Sequence, residues 1–446
     1  MAVTRMEIVR REPYEGGRGF GAGGPYERID AVAHYAVDPE EAANAGIVDL
    51  DRAGRDDDGR VHFSGDATFL VPADPGRANR ALLLEVPNRG NRIAMRSFNM
   101  APFDLMPTDE IPPGDGFLLE RGWCIAWCGW QWDVPHPSIR MGLRAPAVPP
   151  ENRTPAGRMQ LRIQPDRDAD SFALTDHHVG AVGNHAPIPP LDPDEPGAEL
   201  WVREHLFADP ERIPRNRWTF AHRGAEPAAS GSDRVALAGG FEAGKIYDLV
   251  YTPAECPVVG AGLLAVRDLA IFARHGEGSP AAGRIDHVIA EGVSQCGRFL
   301  RTLLHAGLNR DEAGRTAFDG VLVHVAGGRR GEFNHRYGQP SVQPTRASAT
   351  ASRSRTIRRP IPGRDAGPAC STGCGRPAAC RRSSTPTRRR STGEETLDSL
   401  TATSPPAPMW SRPRKSAAIS SPERNTAPVC CPSWTRACSA AGAQTG

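Results

Sequence analysis

Along the first 75 residues, Gly, Pro and Asp turns alternate with short runs of β pattern, such as VHFSGDATFLVP. This predicts a β-rich N-terminal extension. ALLLEVPNRGN is a continuous apolar run that stops at a turn over Pro87–Gly90, the pattern of a strand buried on both faces. GWCIAWCGW, residues 122–130, reads as a second buried strand. Residues 134–240 carry many Pro, Arg and Asp and few apolar runs, which predicts a lid-like insertion. The pattern resumes in KIYDLVYTP, then a helix in AGLLAVRDLAIFARHG, a strand in DHVIAEGV, a helix after GVSQCG and a strand in FDGVLVHVAGG. Alternating strands and helices in this order predict an α/β fold, a mostly parallel sheet with flanking helices.

Residues 345–446 break the pattern. They contain no Phe and no Tyr and consist mainly of Arg, Ser, Thr, Pro, Ala and Gly. Such a composition cannot supply the buried strands that would finish a sheet, so the C-terminal strands are expected to be missing and 345–446 is expected to be disordered. This gives an incomplete domain at 1–344 followed by a tail.

Net charge is +2, which gives no whole-chain argument for nucleic acid. The longest apolar stretch, GLLAVRDLAIFA, is interrupted by Arg267 and Asp268 and falls short of the roughly 18 residues a membrane helix needs. The N-terminus has no apolar signal segment, so a cytoplasmic protein is expected. Of ten cysteines, Cys124 and Cys128 sit in an apolar run and read as core, Cys256 as a loop residue, and six lie beyond residue 369. No CxxC pair has a matching partner, so neither metal nor cofactor is expected.

The chemistry centres on Ser294. It follows an apolar strand and precedes a helix with Phe299, Leu300, Leu303 and Leu304 on one stripe. A serine at a sharp strand-to-helix turn is raised above the sheet, at a helix N-terminus that favours developing negative charge. Gly292 leaves room for close packing. Cys296 occupies the second glycine position of the G-x-S-x-G pattern, and Gly297 follows one residue later. The competing reading is an ordinary serine N-cap. An oxyanion hole would take one backbone N–H from Gln295 and another from the segment after 122–130, which is Trp130 or Gln131. The same tryptophans also read as core aromatics.

EVPNRGN, GWCIAWCGWQWDV, GLLAVRDLAIFARHG, GVSQCGRFLR and HVAGGRRGEFNHRYGQPS occur in order, and over roughly residues 20–343 the chain resembles the bacterial alpha/beta hydrolase domain proteins. The elbow also resembles that of glucuronoyl esterases. The resemblance implies a serine hydrolase of carboxylic, small-molecule esters with a Ser–acid–His triad. The alternative is a non-catalytic binding protein on the same scaffold.

The triad histidine should follow the acid, late in the chain. After Ser294 the histidines are His305, His324 and His335, all too early, and none lies beyond 335. Two readings of the tail compete: a basic segment that binds nucleic acid, and translation in the wrong frame. The chain has only two lysines, Lys245 and Lys415, against many arginines, which points to a GC-rich gene. Read one nucleotide earlier, Arg382–Gly393 admits K/Q-V-I-Y-T-D-T-S-A-E-Y-W, a buried strand followed by acidic residues. At Asn425–Thr426 the shifted codon is TAC or CAC, Tyr or His. A frameshift near 344–345 is therefore expected, leaving the catalytic acid and histidine unencoded and the polypeptide inactive.

Overall fold

The computed structural model describes residues 1–340 except 103–107, 135–138, 154–156, 176–186, 222–231 and 329. The expectations for 345–446 lie outside the described residues. The chain divides into two units, Met1–Asp365 and Ala366–Gly446, and every described residue belongs to the first.

In chain order the main elements are β1 (Val3–Pro13), β2 (Gly24–Val37), β3 (Val61–Pro72), β4 (Ala81–Glu85), α1 (Ala94–Asn99) and β5 (Cys124–Cys128). Then come β6 (Met159–Ile163), β7 (Ala169–Ala173), β8 (Glu199–Arg203), β9 (Glu211–Ile213), β10 (Trp218–Ala221), β11 (Arg234–Phe241) and β12 (Ile246–Tyr251). α2 (Ala261–His275), β13 (His287–Val293), α3 (Gln295–His305) and β14 (Gly320–His324) follow.

The principal sheet has nine strands in the order β1-β2-β3-β5-β4-β13-β14, with the short pieces Gly19–Phe20 and Leu143–Arg144 pairing off the main path. β1, β2, β3 and β5 pair antiparallel, whereas β5, β4, β13 and β14 run parallel. The sheet is therefore mixed with a parallel core, rather than mostly parallel. The physical division follows burial. β2 and β3 carry alternating buried and partly exposed positions over much of their length, as strands with one wetter face do. β4 and β5 are apolar and buried almost throughout, as strands covered on both faces must be.

Helices are few. α2 buries nearly its whole length, including Arg267 and Asp268. The two charges survive there because Arg267 chelates Asp268 at 2.8 and 2.9 Å and also donates to Ala43 O, Arg310 O and Asn44 Oδ1.

Among the described residues, the 134–240 region together with the strand that follows it builds two small antiparallel sheets, β9-β8-β12-β6 and β10-β11-β7. β12, the KIYDLVY run, belongs to the first of these and not to the principal sheet. Its pattern of buried residues alone could not distinguish the two destinations.

Candidate active site

Ser294 sits between β13 and α3, with φ 56° and ψ −107°. This backbone region is costly for a residue with a Cβ, by about 1–3 kcal/mol. The turn is held from both sides: Ser294 N donates to His324 O at 2.8 Å, and Arg298 N donates to Ser294 O at 3.1 Å. The serine is exposed while Gln295, Cys296 and Gly297 behind it are buried. Its side chain does not cap α3, which disfavours the plain N-cap reading.

The glycines explain how the strand and helix come so close. A Cβ on Gly292 would lie 2.6 Å from Cys296 C and O, and one on Gly297 would lie 2.9 Å from Gly292 O. Cys296, which replaces the usual second glycine, is fully buried, and desolvation pushes its thiol well above the ordinary range.

Sheet order changes which loop adjoins this turn. β4 lies between β5 and β13, so the segment that follows β4 runs beside the end of the Ser294 strand. Val86 N donates to Glu291 O at 2.9 Å, and Asn88 Nδ2 donates to Val293 O at 3.3 Å. Arg89 and Gly90 in this segment both have positive φ, 52° and 78°. Trp130 and Gln131, which follow β5, are buried behind it. Trp130 Nε1 donates to Pro87 O at 2.9 Å, and Gln131 Oε1 accepts from Arg89 N at 2.8 Å. The Trp130 ring also packs on Phe299 of α3, with centroids 4.2 Å apart. Sequence order alone makes 122–130 look like the strand beside Ser294. The signal for 86–92 was the Pro–Asn–Arg–Gly turn, which needs positive φ near Gly90.

A cavity of about 720 Å³ opens beside the turn, lined by Asn88, Arg96, Phe98, Glu291, Val293 and His324 among others. His324 is exposed at the end of β14, His305 shares a 2.9 Å contact with Arg330 Nη2, and His335 is exposed in the following loop. Apart from the backbone bond from Ser294 N to His324 O, no described hydrogen bond joins Ser294 to any of the three, and none joins its hydroxyl to an imidazole.

Sequence reasoning missed Glu85 and Glu291, which are paired across adjacent parallel strands and almost wholly buried. Burial pushes both carboxyls up from the ordinary glutamate range. The only signal was a Glu inside each of two apolar runs.

Residues 210–361 match the family model of the alpha/beta hydrolase domain. No curated protein and no solved structure matches the chain. The alpha/beta hydrolase match contains β13, Ser294, α3 and β14, while β1–β5 lie N-terminal to it. It identifies a hydrolase-type scaffold. It also runs on past residue 345, to 361. Among the described residues, no helix is long and apolar enough to cross a membrane, and no group of three His, Cys, Asp or Glu side chains is arranged to hold a metal ion.

Proposed function

We propose that this scaffold belongs to a serine hydrolase in which Ser294 attacks a carboxylic ester and forms an acyl-enzyme. The observation that carries the reading is the exposed Ser294 at φ 56°, held between a parallel strand and a helix N-terminus. Strain of this kind persists where the surroundings over-determine it, and functional sites are where it collects. Gln295 N–H would hold the oxyanion. The second donor would come from Trp130, Gln131 or the segment 86–92, which the sheet order sets nearest.

The base and acid are the missing parts. A frameshift near 344–345 would account for them, because one alternative frame admits a strand, acidic residues and a Tyr or His codon in chain order. The alpha/beta hydrolase match continues to 361, so its end does not mark that breakpoint. Sequencing the gene across codons 335–355 tests the frame directly. A second reading, a non-catalytic binding protein, is favoured because, among the described residues, no imidazole is hydrogen-bonded to the Ser294 hydroxyl.

Expressing the chain as given and a frame-restored version, and assaying both on p-nitrophenyl acetate, separates the readings. The chain as given should be nearly inactive, because loss of the base typically costs on the order of thousands to millions in turnover. The restored protein should be active, and its Ser294→Ala variant should not. Equal activity in that variant would remove Ser294 from the mechanism. Strong Ser294-dependent turnover by the chain as given would mean that a histidine already present serves as base.

A further inference from the structure

We propose that Glu85 and Glu291 share a single proton, carried by Glu291, and that this proton latches the 86–93 segment and α1 against the strand bearing Ser294.

The geometry starts from register. Glu291 of β13 pairs with Glu85 of β4, and Glu85 pairs with Trp127 of β5, so the three side chains form one row across the parallel core. Glu85 is 0 % exposed and Glu291 is 2 % exposed. Two carboxylates side by side, both largely desolvated by burial, repel strongly, so one of them must hold a proton at neutral pH.

Hydrogen bonding decides which one. Glu85 accepts from Ile93 N at 2.8 Å, from Ala94 N at 2.5 Å and from Trp127 Nε1. All three are donors to a carboxylate, and two come from the start of α1, so they stabilise the ionised form. Glu291 has the opposite surroundings, because its Oε2 is buried with no hydrogen-bond partner. Burial raises both carboxyls, Glu85 as well as Glu291, and the proton belongs on Glu291 because no donor reaches its Oε2 while three reach Glu85.

The charged neighbours do not remove the conflict. Arg92, in the segment leading to α1, feels Glu85, but it is itself engaged around Asp109 and Thr68. From α3, Cys296 feels both carboxyls as an uncharged, desolvated thiol, and Arg298 faces Cys296. Arg89 of the segment leading to α1, Arg96 of α1 and His324 of β14 line the cavity that Glu291 borders.

Ionising Glu291 would set two negative charges on adjacent strands. The contact that relaxes most cheaply is the one between Glu85 and the start of the six-residue α1. The segment between β4 and α1 includes Asn88, which is bonded to Val293 O next to Ser294. The proton thus couples the shape of that segment to pH, whether or not Ser294 is a nucleophile.

A glutamate whose folded pKa is raised contributes stability that is fully present below its unfolded pKa and is lost as pH rises through the folded value. Denaturant unfolding of the full chain from pH 4 to pH 9, with Glu332→Gln because burial also raises Glu332, should therefore show the unfolding constant rising on the order of a hundredfold between pH 5 and pH 8. Glu291→Gln, which is neutral at every pH, should flatten that rise. Glu85→Gln should be less stable at neutral pH, where it loses the anion that caps α1. If Glu291→Gln tracks the chain that keeps Glu291 in parallel, the latch is wrong. A second measurement does not need that variant to fold. Infrared spectra of the chain labelled with ¹³C-glutamate, in a Glu332→Gln background because burial also raises Glu332, should contain a protonated-carboxyl band at pH 7. Its absence at pH 7 would overturn the proposal. Neither readout involves ester hydrolysis, so either can fail independently of the Ser294 reading.

Discussion

Ser294 occupies a backbone conformation that glycine would adopt without penalty. Ser294→Gly should therefore raise stability by about 1 kcal/mol in denaturant unfolding, while removing the hydroxyl. A loss of stability would mean that the serine side chain holds the turn together, the opposite of a strained nucleophile. The neighbouring glycine behaves the other way. A Cβ at Gly292 meets backbone atoms of Cys296 at 2.6 Å, and backbone cannot swing aside as a side-chain end can. Gly292→Ala should destabilise by about 1–3 kcal/mol. Gly54→Ala, where no atom lies within 4 Å, should change little. Both positions were legible as chemistry in the sequence: G-x-S between an apolar strand and an amphipathic helix implies a tight turn. The carboxyl pair was not legible, since Glu85 and Glu291 are about two hundred residues apart and become neighbours only through strand order.

At the scale of elements, α2 is the most deeply buried helix, and two of its residues govern its docking. Gly262 lies against the Trp130 carbonyl, where an added Cβ would come within 2.2 Å of the oxygen. Gly262→Ala should push α2 away from the segment after β5, which would appear as a lowered midpoint of thermal unfolding. Arg267→Met tests the buried ion pair. It would strand Asp268, already shifted upward by burial, without its partner, and should cost about 3–5 kcal/mol. In the sequence these two charges exclude a membrane helix, and the same charges turn out to be internal. Their burial is affordable only because carbonyls from 43 and 310 and the side chain of Asn44 converge on one guanidinium. No local pattern announces such convergence.

For the whole molecule, β14 is the consequential element. Among the described residues it pairs with β13 alone, and Leu322, Val323 and Val325 are 45 %, 37 % and 66 % exposed. An apolar strand edge of this kind is a template for association. The purified chain should scatter light and elute as oligomers, and the double change Val323→Lys with Val325→Lys should shift it toward monomer. A monodisperse monomer with Val323 and Val325 intact would show that the edge is covered in solution. A frame-restored chain should be less prone to self-association, because the added strand would have β14 to pair with.

Composition and periodicity determined the existence of the buried strands at 81–85, 124–128 and 287–293, the apolar strand at 320–324, the two principal helices, and the turn at Ser294. They could do so because a strand covered on both faces must be apolar throughout and a helix must repeat every 3.6 residues. The tertiary structure alone decided the order of those strands, and with it that the segment after β4 runs beside the end of the strand bearing Ser294. It also decided that KIYDLVY joins an antiparallel sheet of the insertion and that two glutamates meet in the core. Side-chain patterns record how much water each residue avoids. They do not record which neighbour excludes that water, and neighbours separated by a crossover are chosen by packing over the whole domain.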